Sequence, residues 1–190
     1  MSERATTTWA VFGGSFDPPH VGHVLAGAWV LATREVDALV VVPTLAHAFG
    51  KDLTPFPHRR RMAELAFAGL RGARVSGLEA RLGRPSYTVR TLERLRAAHP
   101  GVALRLVIGS DLVEQLPRWK EGRRLPGLAP PLVVGRGGHG AADVAMPAVS
   151  STEVRRRVRA GAPVDALVPR AVRRHIERYG LYVGDDAGDP

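Results

Sequence analysis

Two histidines lie three positions apart in a segment that is rich in glycine and proline. The segment, residues 11–23, reads VFGGSFDPPHVGH. Gly13 and Gly14 allow backbone angles, or a close approach of a ligand, that a Cβ atom would block. His20 and His23 stand where a helical pattern begins, so both rings can project to one side of a helix N-terminus, whose free amides and dipole attract anions. These residue types predict a cradle for a triphosphate.

The same residues allow two other interpretations. A glycine turn followed by two surface histidines needs no ligand at all. A metal site built on the two imidazoles needs a third ligand, and none is evident nearby in the sequence. The residues of this segment alone leave the three interpretations open.

A second polar segment, VSSTEVR at residues 149–155, stands at the start of a late helical pattern. Ser150 followed three residues later by Glu153 has the spacing of a capping box. Hydroxyls and amides at such a helix start can also bind phosphates, with Arg155 adding positive charge. Both interpretations can hold at once.

The elements that position these segments alternate along the chain. Strands are predicted at TTTWAVF, DALVVVPT, ARVSGLEA, ALRLVIGSD and PPLVVGRGG, with ADVAMPAV as a further candidate. Helices are predicted from near Val21 and at PFPHRRRMAELAFAGL, PSYTVRTLERLRAAHP, LVEQLPRWKEGRRL, SSTEVRRRVRAG and VPRAVRRHIERYG. Within these, Ser86 is the expected N-cap of the third helix and Pro117 breaks the fourth.

This alternation predicts an α/β fold with a doubly wound, mainly parallel sheet. We expect a single domain over residues 1–190, with an acidic tail from about residue 184 that is disordered. Ligands of such folds bind at the carboxyl ends of the strands. The loops that follow Gly13, Pro43, Gly109 and Gly135 should therefore meet at one edge of the sheet.

Composition narrows the class of protein. The absence of cysteine excludes a disulfide scaffold, a thiolate-bound zinc and a cysteine nucleophile, and fits a cytoplasmic location. No apolar run approaches the ~20 residues of a membrane span, and the N-terminus lacks a secretion signal. The net charge of +9 suggests polyanionic partners. However, only Lys51 and Lys120 are lysines, and the other basic residues are arginines. This favours a general compositional bias, rather than a nucleic-acid-binding surface, as the source of the excess positive charge.

The two polar segments resemble the signatures of the nucleotidylyltransferase superfamily. His20-Val21-Gly22-His23, preceded by GGSFDP, resembles its HxGH motif, and VSSTEVR resembles its ISSTxxR segment. Within the superfamily, the chain is similar to the nicotinate/nicotinamide mononucleotide adenylyltransferases over roughly residues 9–182. The segments that carry this similarity are PSYTVRTLERLR, LVIGSDLVEQLPRW, VVGRGG and HIERYGLY.

The resemblance implies a Rossmann-like nucleotidylyltransferase fold and an activity in NAD biosynthesis. The adenylyl group of ATP would pass to nicotinate mononucleotide, or to nicotinamide mononucleotide, with release of pyrophosphate. The attacking phosphate oxygen is already an anion, so the reaction needs positioning and charge stabilisation rather than a general base. Mg²⁺ is expected to bind with ATP, and no metal site made of protein side chains is predicted.

The resemblance also implies roles for individual residues. The ATP-binding set is Gly13, Gly14, Ser15, Phe16, His20, Gly22, His23, Gly109, Asp111, Arg136, Ser151, Thr152 and Arg155. Among these, His20, His23 and Arg155 are expected to be catalytic. The mononucleotide-binding set is Asp17, His47, Lys51, Thr88 and Trp119.

Several of these positions have other interpretations. The family's PPHK-like stretch is replaced by PTLAHAFGKDLTPF, where His47 and Lys51 are the substitutes, so the choice between nicotinate and nicotinamide stays open. Trp119 can stack on a pyridine ring or pack in a helix, and Arg136 can lie over adenine, near phosphate or in solvent. The basic run of residues 58–61 is interpreted as a solvated helix start unless it reaches the acceptor phosphate.

Three rival functions remain in view. Another nucleotidylyltransferase, such as phosphopantetheine adenylyltransferase or a cytidylyltransferase, would share the first motif. A nucleic-acid-binding module would interleave basic and exposed aromatic side chains, but aromatic residues make up only 6% of this chain. A homologue that binds nucleotide without turnover would have lost part of its motifs. We therefore expect small-molecule partners, no nucleic acid and no membrane, with a homo-oligomer left open.

Overall fold

A parallel sheet of six strands forms the centre of the part of the chain that the structure describes. The computed structural model describes residues 7–46, 50, 52–136 and 145–184. Its strands are β1 (Thr7–Gly14), β2 (Ala38–Pro43), β3 (Ala73–Val75), β4 (Val102–Gly109), β5 (Pro131–Arg136) and β6 (Ala145–Met146). They lie in the order β3-β2-β1-β4-β5-β6 with every neighbouring pair parallel. The predicted doubly wound parallel sheet is confirmed, with its change of winding between β1 and β4.

Helices cover both faces of this sheet. They are α1 (Val21–Thr33), α2 (Phe56–Phe67), α3 (Leu78–Leu82), α4 (Thr88–Ala98), α5 (Leu125–Leu128), α6 (Ser151–Arg159) and α7 (Arg170–Tyr179). Two 3-10 helices, Ser110–Arg118 and Gly122–Arg124, follow β4. None of the helices in the described ranges is long and apolar enough to cross a membrane.

The buried strands divide their side chains between two apolar cores. Along β2, Leu39 and Val41 belong to the core beneath α1, α2 and α7, whereas Val40 and Val42 belong to the core beneath α3 and α4. Successive side chains of a strand point to opposite faces, so a strand covered on both sides must be apolar at every position. This accounts for the uninterrupted run in DALVVVPT.

Three local predictions were wrong in detail. Only the first residues of ARVSGLEA form a strand, because Ser76 Oγ accepts a hydrogen bond from Leu78 N–H at 3.2 Å and α3 begins there. The segment around Pro117 is a 3-10 helix over Ser110–Arg118 rather than an α-helix broken at the proline. Ser86 does not cap α4, whose N-cap is Tyr87 and which has no side-chain cap.

Ser86 instead supports the loop that follows β2. Its hydroxyl accepts hydrogen bonds from Leu45 N–H at 3.0 Å and Ala46 N–H at 3.2 Å. The buried side chain therefore satisfies two backbone donors that have left the sheet.

Candidate active site

A cleft of about 1170 Å³ opens at the carboxyl ends of β1 and β4, where the strand order changes direction. The predicted site residues that line this cleft are Gly13, Gly14, Ser15, Phe16, Asp17, His20, Gly22, His23, Thr88, Gly109, Asp111, Trp119, Ser151, Thr152 and Arg155. His47 and Lys51 lie outside the described residues. Arg136 ends β5, and only its backbone is described.

The two histidines of the first motif form a stacked pair at the start of α1. Their ring centroids lie 3.7 Å apart and their planes are inclined by 33°. The backbone N–H of His20 donates to His23 Nδ1 at 3.1 Å. Because Nδ1 of His23 is an acceptor, its neutral ring carries the proton on Nε2.

Gly22 makes the close packing of this pair possible. A Cβ atom at this position would lie 3.1 Å from His20 Nδ1 and 3.6 Å from the carbonyl oxygen of Pro147. The first distance is tighter than ordinary van der Waals contact, so a side chain at residue 22 would push against the His20 ring, which is itself 4% exposed.

The second motif is attached directly to the first. Ser151 Oγ donates to the carbonyl oxygen of Pro18 at 2.9 Å. Arg155 Nη1 donates to the carbonyl oxygen of Asp17 at 2.8 Å, and its Nη2 donates to Thr152 Oγ1 at 3.3 Å. Residues that are 138 positions apart in the sequence are thus joined along one wall of the cleft.

The start of α6 also has the cap that its sequence predicts. Ser150 is the N-cap, and its hydroxyl accepts from Glu153 N–H at 3.1 Å. Hydrogen bonds from Arg156 and Arg157 hold the pKa of Glu153 at about 2. Two helix N-termini, those of α1 and α6, therefore face the cleft, and Arg155 and Arg159 line it beside them. This wall offers amide donors and positive charge to an anion.

Asp17 is buried beneath the first loop, and both of its carboxylate oxygens accept hydrogen bonds. Tyr182 donates its hydroxyl to Oδ1 at 2.6 Å, and Thr54 N–H donates to Oδ2 at 3.0 Å. This carboxylate therefore ties the first loop to Tyr182 and to Thr54. Its part in binding the mononucleotide stays a prediction.

Arg59 is buried, whereas the basic run of residues 58–61 was predicted to be a solvated helix start. Arg60 and Arg61 are exposed and pair with Glu64, but Arg59 is only 1% exposed. Its guanidinium donates to four carbonyl oxygens, those of Thr54, Ser15, Thr44 and Leu45, at 2.6 to 3.1 Å. Burial lowers the pKa of Arg59.

A signal for this burial was present in the sequence. Arg59 shares the buried face of α2 with Met62, Ala63 and Ala66, which stand three, four and seven residues further on. That spacing marks the core-facing stripe of a helix. An arginine on such a stripe requires internal acceptors, because a buried charge without partners is costly.

The opposite wall of the cleft is formed by the segment after β4. Trp119, the C-cap of the first 3-10 helix, is partly buried against the α3–α4 core and also lines the cleft, and its stacking on a pyridine ring stays a prediction. Arg118 and Lys120 line the cleft beside it and were not among the predicted residues. A Cβ atom on Gly109 would overlap Asp111 Oδ1, so the glycine leaves room for this carboxylate at the end of β4.

No metal centre made of protein side chains is evident in residues 7–46, 50, 52–136 and 145–184. No three His, Cys, Asp or Glu side chains come together there in a way that would hold an ion.

Comparisons with known proteins show the family of the chain. Residues 11–157 match the model of the family described as cytidylyltransferase-like. A protein of Anaeromyxobacter sp. strain K, with the curated name "probable nicotinate-nucleotide adenylyltransferase", is 46% identical over 182 residues, covering 92% of this chain and 96% of its own. A Thermus thermophilus protein with the same name is 38% identical over 181 residues, covering 90% and 97%.

The fold has solved counterparts as well. The structure of Plasmodium falciparum nicotinic acid mononucleotide adenylyltransferase complexed with NaAD superposes with a TM-score of 0.82 at 21% identity. The superposition covers 93% of this chain and 97% of that chain. At this identity the likeness concerns the fold.

Proposed function

The chain belongs to the cytidylyltransferase-like nucleotidylyltransferases, in the nicotinate-nucleotide adenylyltransferase family, and on this ground we propose that it makes the dinucleotide precursor of NAD. It transfers the adenylyl group of ATP to nicotinate mononucleotide and releases pyrophosphate. The observation that carries this proposal is the junction of the HxGH and SSTEVR segments, through Ser151 and Arg155, along the wall of one cleft.

The reaction exchanges one phosphorus–oxygen bond for another. A phosphate oxygen of the mononucleotide attacks the α-phosphorus of ATP, and the bond from that phosphorus to the oxygen bridging the α- and β-phosphates breaks. The electron pair leaves with pyrophosphate. Because the nucleophile is already an anion, the protein has to align the reactants and stabilise charge on the transferring and leaving phosphates.

We assign the phosphates of ATP to the wall formed by the two helix starts. His20 and His23 at α1 contact the α-phosphate and the departing phosphates, with Nε2 of His23 as a donor. Ser151, Thr152 and Arg155 at α6 hold the leaving pyrophosphate. Arg159, which lines the same wall, adds positive charge.

We place the rest of ATP along the ends of β1, β4 and β5. The backbone of residues 13–16 follows the phosphates closely, since glycines at 13 and 14 expose it. Gly109 and Asp111 lie where the ribose would be held, and Arg136, at the end of β5, is proposed to reach the adenine or a phosphate.

The mononucleotide is assigned to the opposite wall. Trp119 would stack on the pyridine ring, and the N-terminal amides of α4 at Thr88 would receive its carboxylate. Lys120 and Arg118, which line this wall, favour an acidic pyridine over an amide. Asp17, His47 and Lys51 complete the proposed set, the first through the loop that it orders.

Mg²⁺ would enter with ATP. Bound there, it would neutralise charge on the phosphates. The carboxylate oxygens of Asp17 accept hydrogen bonds from Tyr182 and Thr54, so the residues present fit a cation that would be held mainly by phosphates and water. We further infer one domain that acts in the cytoplasm on small molecules, without a nucleic-acid or membrane partner.

Pyrophosphate release from Mg-ATP tests the proposal when nicotinate mononucleotide and nicotinamide mononucleotide are supplied in separate assays. We expect release with both substrates present, none with ATP alone, and a higher kcat/KM with nicotinate mononucleotide. Phosphopantetheine serves as the third acceptor. Activity with phosphopantetheine but with neither pyridine nucleotide would overturn the proposal.

A further inference from the structure

A ring of partly buried hydrogen bonds connects the loop of residues 15–18 to two distant parts of the chain. Asp17 accepts from Tyr182 and from Thr54 N–H, the Thr54 carbonyl accepts from Arg59 Nε at 2.6 Å, and Arg59 Nη1 donates to Ser15 O at 2.9 Å. The ring thus leaves the loop at Asp17 and returns to it at Ser15. None of its side-chain members outside the loop belongs to the two sequence motifs.

Arg59 joins loops that follow different strands. Its Nη1 also donates to Thr44 O at 2.7 Å, and its Nη2 donates to Leu45 O at 3.1 Å, both directly after β2. One guanidinium therefore holds the loop after β1 against the loop after β2. A lysine at this position has a single charged centre and cannot reproduce the fixed fork of donors.

Tyr182 reaches the same loop from the end of α7, 165 residues away from Asp17. Burial, with the Asp17 carboxylate next to it, raises the pKa of Tyr182 far above its ordinary value, so the hydroxyl stays a donor. The residue has a backbone φ of 66°, in the left-handed region that non-glycine residues seldom adopt. Such a conformation persists where the surroundings determine it, and here the side chain is buried in the core and hydrogen-bonded to Asp17.

The supported loop also contacts residues of both motifs. Phe16, with a φ of 49°, places its ring centroid 5.0 Å from that of His23. The carbonyls of Asp17 and Pro18 are the acceptors for Arg155 and Ser151. A shift of the loop would therefore move groups of both motifs together.

We propose that Tyr182 and Arg59 are positioning residues for adenylyl transfer, acting on the loop of residues 15–18 through Asp17 and Ser15. The inference rests on the proposed function and adds residues that touch no reacting atom. Its physical basis is the sensitivity of phosphoryl transfer to alignment, where a displacement of about 1 Å can cost about a hundredfold in rate.

The first test is Tyr182→Phe, which keeps the buried ring and removes only the hydroxyl. We expect kcat to fall about tenfold, with KM for ATP changing by less than about threefold, because alignment matters more in the transition state than in binding. Tyr179→Phe is the matched control, since Tyr179 is 51% exposed, and its kcat should equal that of the wild type. Both are assayed well below Tm.

The second test is Arg59→Lys, with Arg60→Lys as its exposed neighbour. We expect a fall in kcat for Arg59→Lys alone. In Asp17→Asn, the further change Tyr182→Phe should lower kcat little more, because the tyrosine acts through that carboxylate. The wild-type assay separates the two proposals, since an inactive wild type counts against the function itself.

The result that overturns the positioning role is a normal kcat in Tyr182→Phe together with a lowered Tm. That outcome would make the ring of hydrogen bonds a contribution to stability alone. Equal losses in Tyr179→Phe and Tyr182→Phe would overturn it as well, because the effect would then not depend on Asp17.

Discussion

His23 uses its two ring nitrogens differently. Nδ1 accepts from the backbone of His20 and so belongs to the start of α1. Nε2 carries the proton of the neutral ring and can donate it in a hydrogen bond to a phosphate oxygen. Nδ1 of His23 is thus a structural end of the ring and Nε2 a chemical end. Substitutions that keep only one of these two hydrogen bonds can separate the two roles.

His23→Asn should retain the structural end, because the amide oxygen of asparagine takes the place of Nδ1. We expect a Tm close to that of the wild type and a kcat lower by about 100- to 1000-fold, the usual cost of one lost donor to developing charge. His23→Gln, whose amide nitrogen lies nearer the position of Nε2, should be the more active of the two. Pyrophosphate release and thermal denaturation measure both properties, and wild-type activity in His23→Asn would contradict the assignment.

Arg155 and Arg156 offer a matched pair of arginines on α6. Arg155 divides its guanidinium between Asp17 O and Thr152 Oγ1, whereas Arg156 is exposed and pairs with Glu153. Since lysine lacks the fork, Arg155→Lys should lower kcat by about tenfold or more. Arg156→Lys should not. Similar kcat values for the two variants would show that the fork has no part in the reaction.

At the scale of elements, the two 3-10 helices after β4 carry the wall with Asp111 and Trp119. Gly122 begins the second of them and lies against the first. A Cβ atom at this position would overlap the carbonyl oxygen of Leu116, and backbone cannot move aside as a flexible side chain can. The close approach of the two segments therefore requires glycine.

Gly122→Ala should destabilise the protein by about 3 kcal/mol, because overpacking forces the backbone to shift. The same shift should raise KM for the mononucleotide, since Trp119 lies between the two segments. Gly127→Ala is the control: its Cβ would have no heavy atom within 4 Å, and alanine favours the helix. Chemical denaturation should show a lower free energy of unfolding for Gly122→Ala and no decrease for Gly127→Ala. Equal free energies of unfolding in the two variants would refute the steric argument.

At the scale of the whole molecule, α7 packs against α2. His58 Nδ1 and His175 Nε2 lie 3.2 Å apart at this contact, and one of the two nitrogens must donate while the other accepts. Tyr179 packs against both rings. Burial first, then His58, Arg61 and Arg178, lower the pKa of His175.

This lowered pKa gives the pH dependence a definite sign. The unfolded chain takes up a proton at His175 near its ordinary pKa of about 6.5, before the folded protein does, so stability is present above that pH and is lost as the pH falls below it. Denaturation between about pH 7 and pH 5 should show a smaller slope in His175→Gln than in the wild type. Equal slopes would contradict the prediction.

Patterns within a few residues were sufficient to predict most elements. The two-sided apolar run of β2, the start of α1 at Val21 and the Ser150 cap of α6 all follow from neighbouring residues, and the structure confirms each. The same patterns failed where a distant partner decided the outcome. Ser86 has the residue type of a cap, but two backbone amides after β2 bind its hydroxyl instead.

By itself the sequence determined the alternation of strands and helices, and the two polar segments at helix starts. Periodicity, caps and turn residues act over short distances, and so they can be read in order along the chain. Only the tertiary structure decided that the two segments share one wall, that Arg59 is buried, and that Tyr182 reaches Asp17. These contacts depend on which loops the parallel sheet brings to one edge, and a buried polar group takes whichever partner it meets there.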